Sequence, residues 1–92
     1  MKKIDCNARN ALLSRGYFNQ SNTTVMGGGL YLHGHKIAWF EGKELFINLC
    51  GWNTLTTRAR LNALPGVCLK QKAERLFLNG EEISSRKTYK IS

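Results

Sequence analysis

Two histidines separated by one residue, His33 and His35, are the first side chains in the sequence that could bind a metal ion. Zinc sites use three or four ligands, so the two histidines would need at least one further ligand. Cys50 and Cys68 are the available candidates. No CxxC pair or other ligand spacing accompanies them. The pattern therefore favours histidines in a turn, and we expect neither a metal nor any other cofactor.

The remaining residue types with catalytic potential also lack the partners that catalysis requires. Gly27-Gly28-Gly29 could approach a phosphate, but no Lys-Ser or Lys-Thr follows and the glycines lead into a strand. No carboxylate pair and no Ser-His-Asp order has a supporting motif. The three cysteines are expected to be buried, reduced thiols. We therefore expect no catalytic residues and a protein that is not an enzyme.

The chain is short and strongly basic. Its 92 residues, 42% of them apolar, suit one globular domain over residues 1–92 and no membrane span. Fourteen Lys and Arg against six Asp and Glu give a net charge of +8. Such a charge favours a polyanion or an acidic protein surface as partner. The odd, widely spaced cysteines and the polar N-terminal region predict a reduced cytosolic protein.

The positive charge is concentrated in the second half of the sequence. Residues 51–72 carry four basic residues and no acid, whereas residues 21–50 are neutral. Lys70 and Lys72 share one face of a strand because side chains alternate along it. The predicted partner-binding residues are Arg58, Arg60, Lys70, Lys72 and Arg75, with Arg9 and Arg15 as a second patch. The alternative is that these charges only keep the surface soluble.

Two short helices are predicted from apolar spacing and from capping residues. The first covers residues 5–15, with Asp5 as N-cap and Gly16 after its end. The second covers residues 54–64, with Asn53 or Thr54 as cap and Pro65-Gly66 ending it. Its apolar stripe consists of Leu55, Ala59, Leu61, Ala63 and Leu64, which leaves Arg58 and Arg60 outside.

Alternating hydrophobicity predicts strands before and after the second helix. A meander covers residues 30–33, 36–40 and 44–50, with an edge strand at 23–26 before it. A second unit covers residues 67–72, 75–78 and 87–91, and Asn79-Gly80 is its hairpin turn. The fold is therefore α+β, with two short helices on a mainly antiparallel sheet of five to six short strands. The element order is α-βββ-α-βββ.

Aromatic residues are dense in and near the meander: Tyr31, Trp39, Phe40, Phe46 and Trp52. Single-strand nucleic-acid binders stack bases on aromatic residues of a sheet face. The meander is neutral and carries no such motif, so packing in the core is favoured. Trp52 precedes the helix cap and is expected to be buried against the helix.

The sequence also resembles a recurring pattern in small tailed-phage proteins. Three stretches carry the resemblance: LYLHGHKIA at residues 30–38, GWNTLTTRARLNAL at 51–64 and LFLNG at 76–80. It spans about residues 5–85. In length and basicity the chain further resembles phage anti-CRISPR proteins directed at the type I-F surveillance complex.

That resemblance implies a non-enzymatic inhibitor in the host bacterial cytoplasm. It would bind the Cas protein–crRNA complex as a monomer, contact crRNA phosphates and block target DNA hybridisation. Two alternatives remain open. One is a basic phage nucleic-acid-binding or regulatory module without a fixed Cas partner, and the other is an inhibitor of a different host enzyme.

Overall fold

The structure, a computed structural model, describes residues 2–91 and has the α+β architecture expected from the sequence. Helix α1 spans Lys3–Leu13 and helix α2 spans Leu55–Asn62. The nine strands in this range form two antiparallel sheets, one of six strands and one of three. The strands are β1 Phe18–Gln20, β2 Thr23–Met26, β3 Gly29–Leu32, β4 His35–Glu41, β5 Glu44–Ile47, β6 Leu69–Lys72, β7 Arg75–Leu78, β8 Glu81–Ile83 and β9 Tyr89–Lys90.

Two-residue turns join the neighbouring strands from β1 to β5 and from β6 to β8. Such turns require positive φ at one or both central residues. The predicted Asn79-Gly80 turn is confirmed, with φ values of 51° and 89°. The turn after β3 is His33-Gly34 and not the predicted Gly34-His35. His33 itself adopts a φ of 51°, and His35 begins β4.

A β-bulge changes which residues of β4 face the core. The register between β3 and β4 shifts between Leu30 and Tyr31. Ile37 and Ala38 are consequently both buried, although neighbours on a regular strand face opposite sides. The sequence alternation predicts Ile37 and Trp39 on one face. This prediction is wrong because the bulge reverses the alternation after Ile37. Trp39 therefore lies on the face that points away from the core.

One hydrophobic core joins both helices and both sheets. Leu12 of α1, Leu61 of α2 and Ile47 of β5 are fully buried in it, and Leu76 of β7 joins them. Both helices and the inner face of the three-stranded sheet therefore pack on one side of the six-stranded sheet. The side chains of the opposite face lie outside this core.

Helix α1 begins and ends two residues before its predicted bounds. Asp5 is not the N-cap but lies in the first turn, where it accepts a hydrogen bond from the backbone N–H of Lys2 at 3.2 Å. At the other end Arg15, and not Gly16, has a positive φ of 58°. The N–H groups of both residues donate to carbonyls of the last helical turn. Such paired bonds define a Schellman-type end.

Helix α2 follows the predicted cap. The Thr54 hydroxyl accepts a hydrogen bond from the backbone N–H of Thr57 at 3.2 Å. Leu55, predicted for the buried stripe, is instead 77% exposed, because the first turn projects beyond the core. Neither α1 nor α2, the helices within residues 2–91, is long and apolar enough to span a membrane.

The strands at the sheet edges differ from the sequence prediction. The last strand is β9, and it pairs with β5 at the edge of the large sheet instead of closing the C-terminal unit. The backbone N–H of Ile91 donates to the carbonyl of Leu45 at 2.7 Å, which extends this pairing. Strands β1 and β8 were not predicted from alternation, because each has only three residues.

Candidate nucleic-acid interface

The outward face of the three-stranded sheet carries three cationic side chains and one aromatic ring. We call this group the basic face, and it consists of Lys70, Lys72, Arg75 and Phe77. Register places Lys70 opposite Phe77 and Lys72 opposite Arg75. Opposite residues of an antiparallel pair lie on the same face, with Cβ atoms about 5 Å apart. The three cations are exposed, whereas Leu69 and Leu76 point into the core. The structure therefore places these three cations together on one face of the small sheet.

The basic face surrounds a shallow depression of about 490 Å³. Its lining consists of Cys68, Lys70, Gln71, Lys72, Phe77, Asn79 and Gly80. Glu82 lies opposite Phe77 on β8. Ion pairs in the described part of the chain involve other cations, Arg60 and Lys90, so the charges of the basic face are not neutralised by a bound carboxylate.

The turn that joins β6 to β7 holds a backbone conformation that its residues disfavour. Ala73 and Glu74 have φ values of 51° and 66°, and neither is Gly or Asn. L-residues in this region carry a steric cost, which the paired strands must offset. The strained turn lies directly between Lys72 and Arg75, so it sets the position of two cations of the basic face.

Arg58 is close to the basic face but is engaged in hydrogen bonds. Its Nη1 donates to Asn53 Oδ1 at 2.6 Å and to Gln71 Oε1 at 2.7 Å. The side chain is half-buried between α2 and β6. Arg58 therefore links the helix to the small sheet, and its replacement would change packing as well as surface charge.

Arg60, predicted on the outside of α2, lies in the interior instead. It is 7% exposed, its Nη1 donates to Asp5 Oδ1, and its Nε donates to Thr23 Oγ1 at 2.9 Å. The sequence prediction that Arg60 lies on the outside of α2 is therefore wrong, and Arg60 is not part of an exposed basic patch. The buried carboxylate of Asp5, which the sequence suggested only as a cap, is the physical reason.

The two arginines of the predicted second patch contact their own surroundings. Arg15 donates to carbonyls at the end of α1 and to Gly42 O at 3.1 Å, and its guanidinium lies 3.6 Å from the centroid of the Phe40 ring. Arg9 is half-buried, and its Nε donates to Asn10 Oδ1 at 3.2 Å. Arg15 therefore ties α1 to the β4–β5 turn, and neither arginine joins the basic face.

Three of the aromatic side chains expected in the core lie on the opposite face of the large sheet. Tyr31, Trp39 and Phe46 are half-buried there, and the last two rings stack with centroids 6.0 Å apart. Tyr17 and Met26, 69% and 50% exposed, extend the group toward β1. We call these five residues the open face. Only Phe40 of the predicted meander aromatics packs against the core.

Trp52 is exposed, whereas the sequence predicts that it is buried. It is 55% exposed, and its ring centroid lies 5.8 Å from that of His35. Together they border a depression of about 240 Å³ with Leu32 and Ile37 among its lining residues. Trp52 precedes α2 by several residues, and the chain there turns back through Cys50 and Gly51 at positive φ, which directs the ring outward.

The histidines and cysteines form no metal site within residues 2–91, where no three metal-binding side chains come together. His33 lies in the β3–β4 turn, and its Nε2 is 3.5 Å from Nδ2 of Asn22 in the β1–β2 turn. The Cys50 thiol donates to the carbonyl of Lys36 at 3.3 Å, and burial raises the pKa of this thiol. Cys68, expected to be buried, is exposed on the rim of the basic face.

Gly27 and Gly28 form the two-residue turn between β2 and β3, with φ values of 58° and 77°. The turn leads from one strand to the next and presents no helix end, so it has the structural role that the sequence favoured. Gly29 is the first residue of β3, where an added Cβ would come within 3.1 Å of the Tyr31 ring and 3.2 Å of Lys36 Cδ. The glycines therefore shape a hairpin and make room for Tyr31 and Lys36.

Sequence reasoning missed two features: the place of Phe77 on the basic face, and the separate open face. The place of Phe77 could have been predicted from the register of the hairpin. An Asn79-Gly80 turn fixes Leu78 opposite Glu81, and counting back along the hairpin puts Phe77 on the outward face with Lys70. For the open face the signal was hidden, because the bulge at Leu30 reverses the alternation of β4.

The chain folds as a small α+β protein with three cationic side chains grouped on the outward face of its smaller sheet. A model of the family described as Kyanoviridae Gp96 protein matches residues 1–90, and the chain belongs to this family of phage proteins. No curated protein and no solved structure matches the chain. The resemblance to small phage proteins is thus confirmed, whereas the narrower anti-CRISPR resemblance stays a prediction.

Proposed function

We propose that this phage protein is a non-enzymatic binder of nucleic acid that contacts the phosphate backbone through the basic face. The observation that carries the proposal is the grouping of Lys70, Lys72 and Arg75 around Phe77, with no neutralising ion pair to any carboxylate within residues 2–91. Lys and Arg bind phosphates as charge and as donors, and an aromatic ring among them offers a surface for a base.

The spacing of these side chains fits a polyanion better than a single small anion. Lys70 and Lys72 are two residues apart on one strand, which separates them by about 7 Å. Arg75 lies opposite Lys72 on the neighbouring strand, so the three cations are spread both along and across the strands. Cations spread in this way suit several phosphates of one chain, whereas a small anion is bound by donors that converge on one point.

The narrower form of the proposal follows from the anti-CRISPR resemblance. In that form the nucleic acid is the crRNA of a type I-F Cas complex in the host cytoplasm, and the protein inhibits the complex by blocking hybridisation with target DNA. The net charge of +8 supports approach to an exposed RNA backbone. The broader form, a phage nucleic-acid-binding module, needs only the basic face.

The test compares two charge-matched variants. Lys70→Glu/Lys72→Glu reverses two charges on the basic face, and Lys43→Glu/Lys87→Glu reverses two exposed charges elsewhere. Arg58 is left unchanged because it bonds α2 to β6. Fluorescence anisotropy with labelled single-stranded RNA, at several salt concentrations, should show binding that the first variant loses and the second largely retains. For three phosphate contacts the log–log salt slope is about −2.

A purified type I-F Cas–crRNA complex provides the second arm. Tight binding to the complex and weak binding to free RNA, both lost in Lys70→Glu/Lys72→Glu, would support the inhibitor. Binding to free RNA with the steep salt slope would support the general module. Equal behaviour of the two variants, or no binding in either arm, would overturn the proposal.

A further inference from the structure

We infer that the open face, composed of Tyr17, Met26, Tyr31, Trp39 and Phe46, is a surface on which two copies of the protein pair. This surface is separate from the basic face. The sequence predicts a monomer.

The first observation is the apolar character of this face. Cross-strand register aligns Tyr31 beside Thr24 and aligns Trp39 beside Phe46, so the rings follow one another across the sheet. Met26 pairs with Gly29, which leaves the methionine side chain without a bulky neighbour across the turn. Both helices and the small sheet pack on the other side. Contiguous exposed apolar surface of this kind marks interaction sites.

The second observation is the charge on the strands that frame the open face. Lys36 and Lys90 are balanced by Glu41 and Glu44, and Lys90 Nζ lies 2.8 Å from Glu44 Oε2. Lys36 Nζ lies 5.5 Å from the centroid of the Trp39 ring, and Trp39 Nε1 donates to Glu41 Oε2 at 3.2 Å. The face therefore combines apolar rings with two positive and two negative groups.

This balance is what selects the occupant. A chain of net charge +8 repels a second copy at most of its surface. On a face without net charge that repulsion is weakest, and a two-fold axis brings the mixed Lys and Glu groups of each copy against those of the other. A polyanion gains less here than on the basic face, because Lys90 is paired with Glu44 and Glu41 adds a second negative charge. Charge complementarity thus favours a second copy.

The size of the face is compatible with such a contact. Six strands at about 4.8 Å spacing extend about 24 Å across, and their lengths of two to seven residues correspond to about 7–24 Å along the strands. The resulting area of several hundred square ångströms is of the same order as the ~800 Å² per partner that stable interfaces bury. The basic face lies on the other sheet and stays accessible in the dimer.

The experiment measures the molar mass of the full chain by light scattering after size exclusion, from micromolar to millimolar protein. We expect the mass to rise with protein concentration from 10.4 kDa toward twice that value. Added salt should lower the protein concentration at which the dimer forms, because salt screens the repulsion between the two copies. Nucleic-acid binding weakens with salt, so the two interactions respond in opposite directions. A mass of 10.4 kDa throughout would overturn the inference.

Matched variants locate the contact. Tyr17→Lys/Met26→Lys adds charge at two exposed positions of the open face and should give a folded monomer by circular dichroism and light scattering. Leu55→Lys changes an apolar residue on α2 that is more exposed than either of these, and it should leave the dimer intact. Dimerisation that survives the first variant, or that the second abolishes, would show that the contact lies elsewhere.

Trp39 reports on the occupant directly. In a Trp52→Phe variant the fluorescence of Trp39 alone should become less accessible to acrylamide as protein concentration rises. If a single-stranded oligonucleotide protects Trp39 while the mass stays that of a monomer, the open face binds nucleic acid and the dimer inference is wrong.

Discussion

Asp5 and Arg60 form a buried ion pair that joins the first turn of α1 to the last turn of α2. The two residues are 55 positions apart in the sequence. Arg60 Nε also donates to Thr23 Oγ1 at 2.9 Å, so β2 is held by the same guanidinium. Because both charged groups are almost free of solvent contact, each depends on the other for its stability in the interior.

Removal of one member of this pair should therefore be costly. We expect Arg60→Leu to lower the free energy of unfolding by about 3–5 kcal/mol, because it leaves the Asp5 carboxylate buried without its partner. The measurement is urea denaturation followed by circular dichroism. Asp5→Leu/Arg60→Leu should lose less than the sum of the single variants, and exposed Lys43→Ala should change little. A small effect of Arg60→Leu would contradict the buried assignment.

Trp52 offers a direct contrast between the exposure in the structure and the burial expected from the sequence. Trp52→Ala should lower the free energy of unfolding by less than about 1 kcal/mol, since the ring is 55% exposed. Leu61→Ala, at a fully buried position of α2, should cost about 2–5 kcal/mol. Thermal unfolding of both variants decides the matter, and equal losses would mean that Trp52 packs inside after all.

The strained turn of the basic face should be improvable. Glu74 has a φ of 66°, which Gly adopts without a steric cost. We expect Glu74→Gly to raise the free energy of unfolding by about 1 kcal/mol. The control is Lys43→Gly in the β4–β5 turn, where Gly42 is the residue with positive φ, so no strain is relieved. Chemical denaturation of both variants provides the comparison, and an equal change would remove strain as the explanation.

The Cys50 thiol should make stability depend on alkaline pH. Burial raises its pKa in the native state, so the unfolded chain loses this proton at lower pH than the native chain does. The stabilisation is complete below the ordinary thiol pKa and is lost as pH rises through the raised native value. Unfolding of Cys6→Ser/Cys68→Ser between about pH 7 and pH 10 should show this decline. A further Cys50→Ser change should make the decline shallower, and an identical slope would contradict the assignment.

The sequence predicts elements better than it predicts the faces of those elements. Thr54 and Asn79-Gly80 are recognisable because capping and type I′ turn geometry act over a few residues. The exposure of Trp39 depends on a bulge, and no residue type in β4 indicates that a bulge is present. The burial of Arg60 depends on a carboxylate 55 positions away, which no local pattern contains. The basic face is predicted in part because Lys70 and Lys72 share a strand, so local alternation is sufficient there.

The two-residue turns have a consequence for the path by which the chain folds. Most strand pairs in both sheets consist of sequence neighbours, so their contacts have low contact order and close only short loops. The meander from β1 to β5 can therefore assemble hairpin by hairpin as the chain leaves the ribosome. The contacts between distant segments, Asp5 with Arg60 and β5 with β9, cannot form until later residues are synthesised. These long-range contacts therefore form last and join hairpins that have already folded.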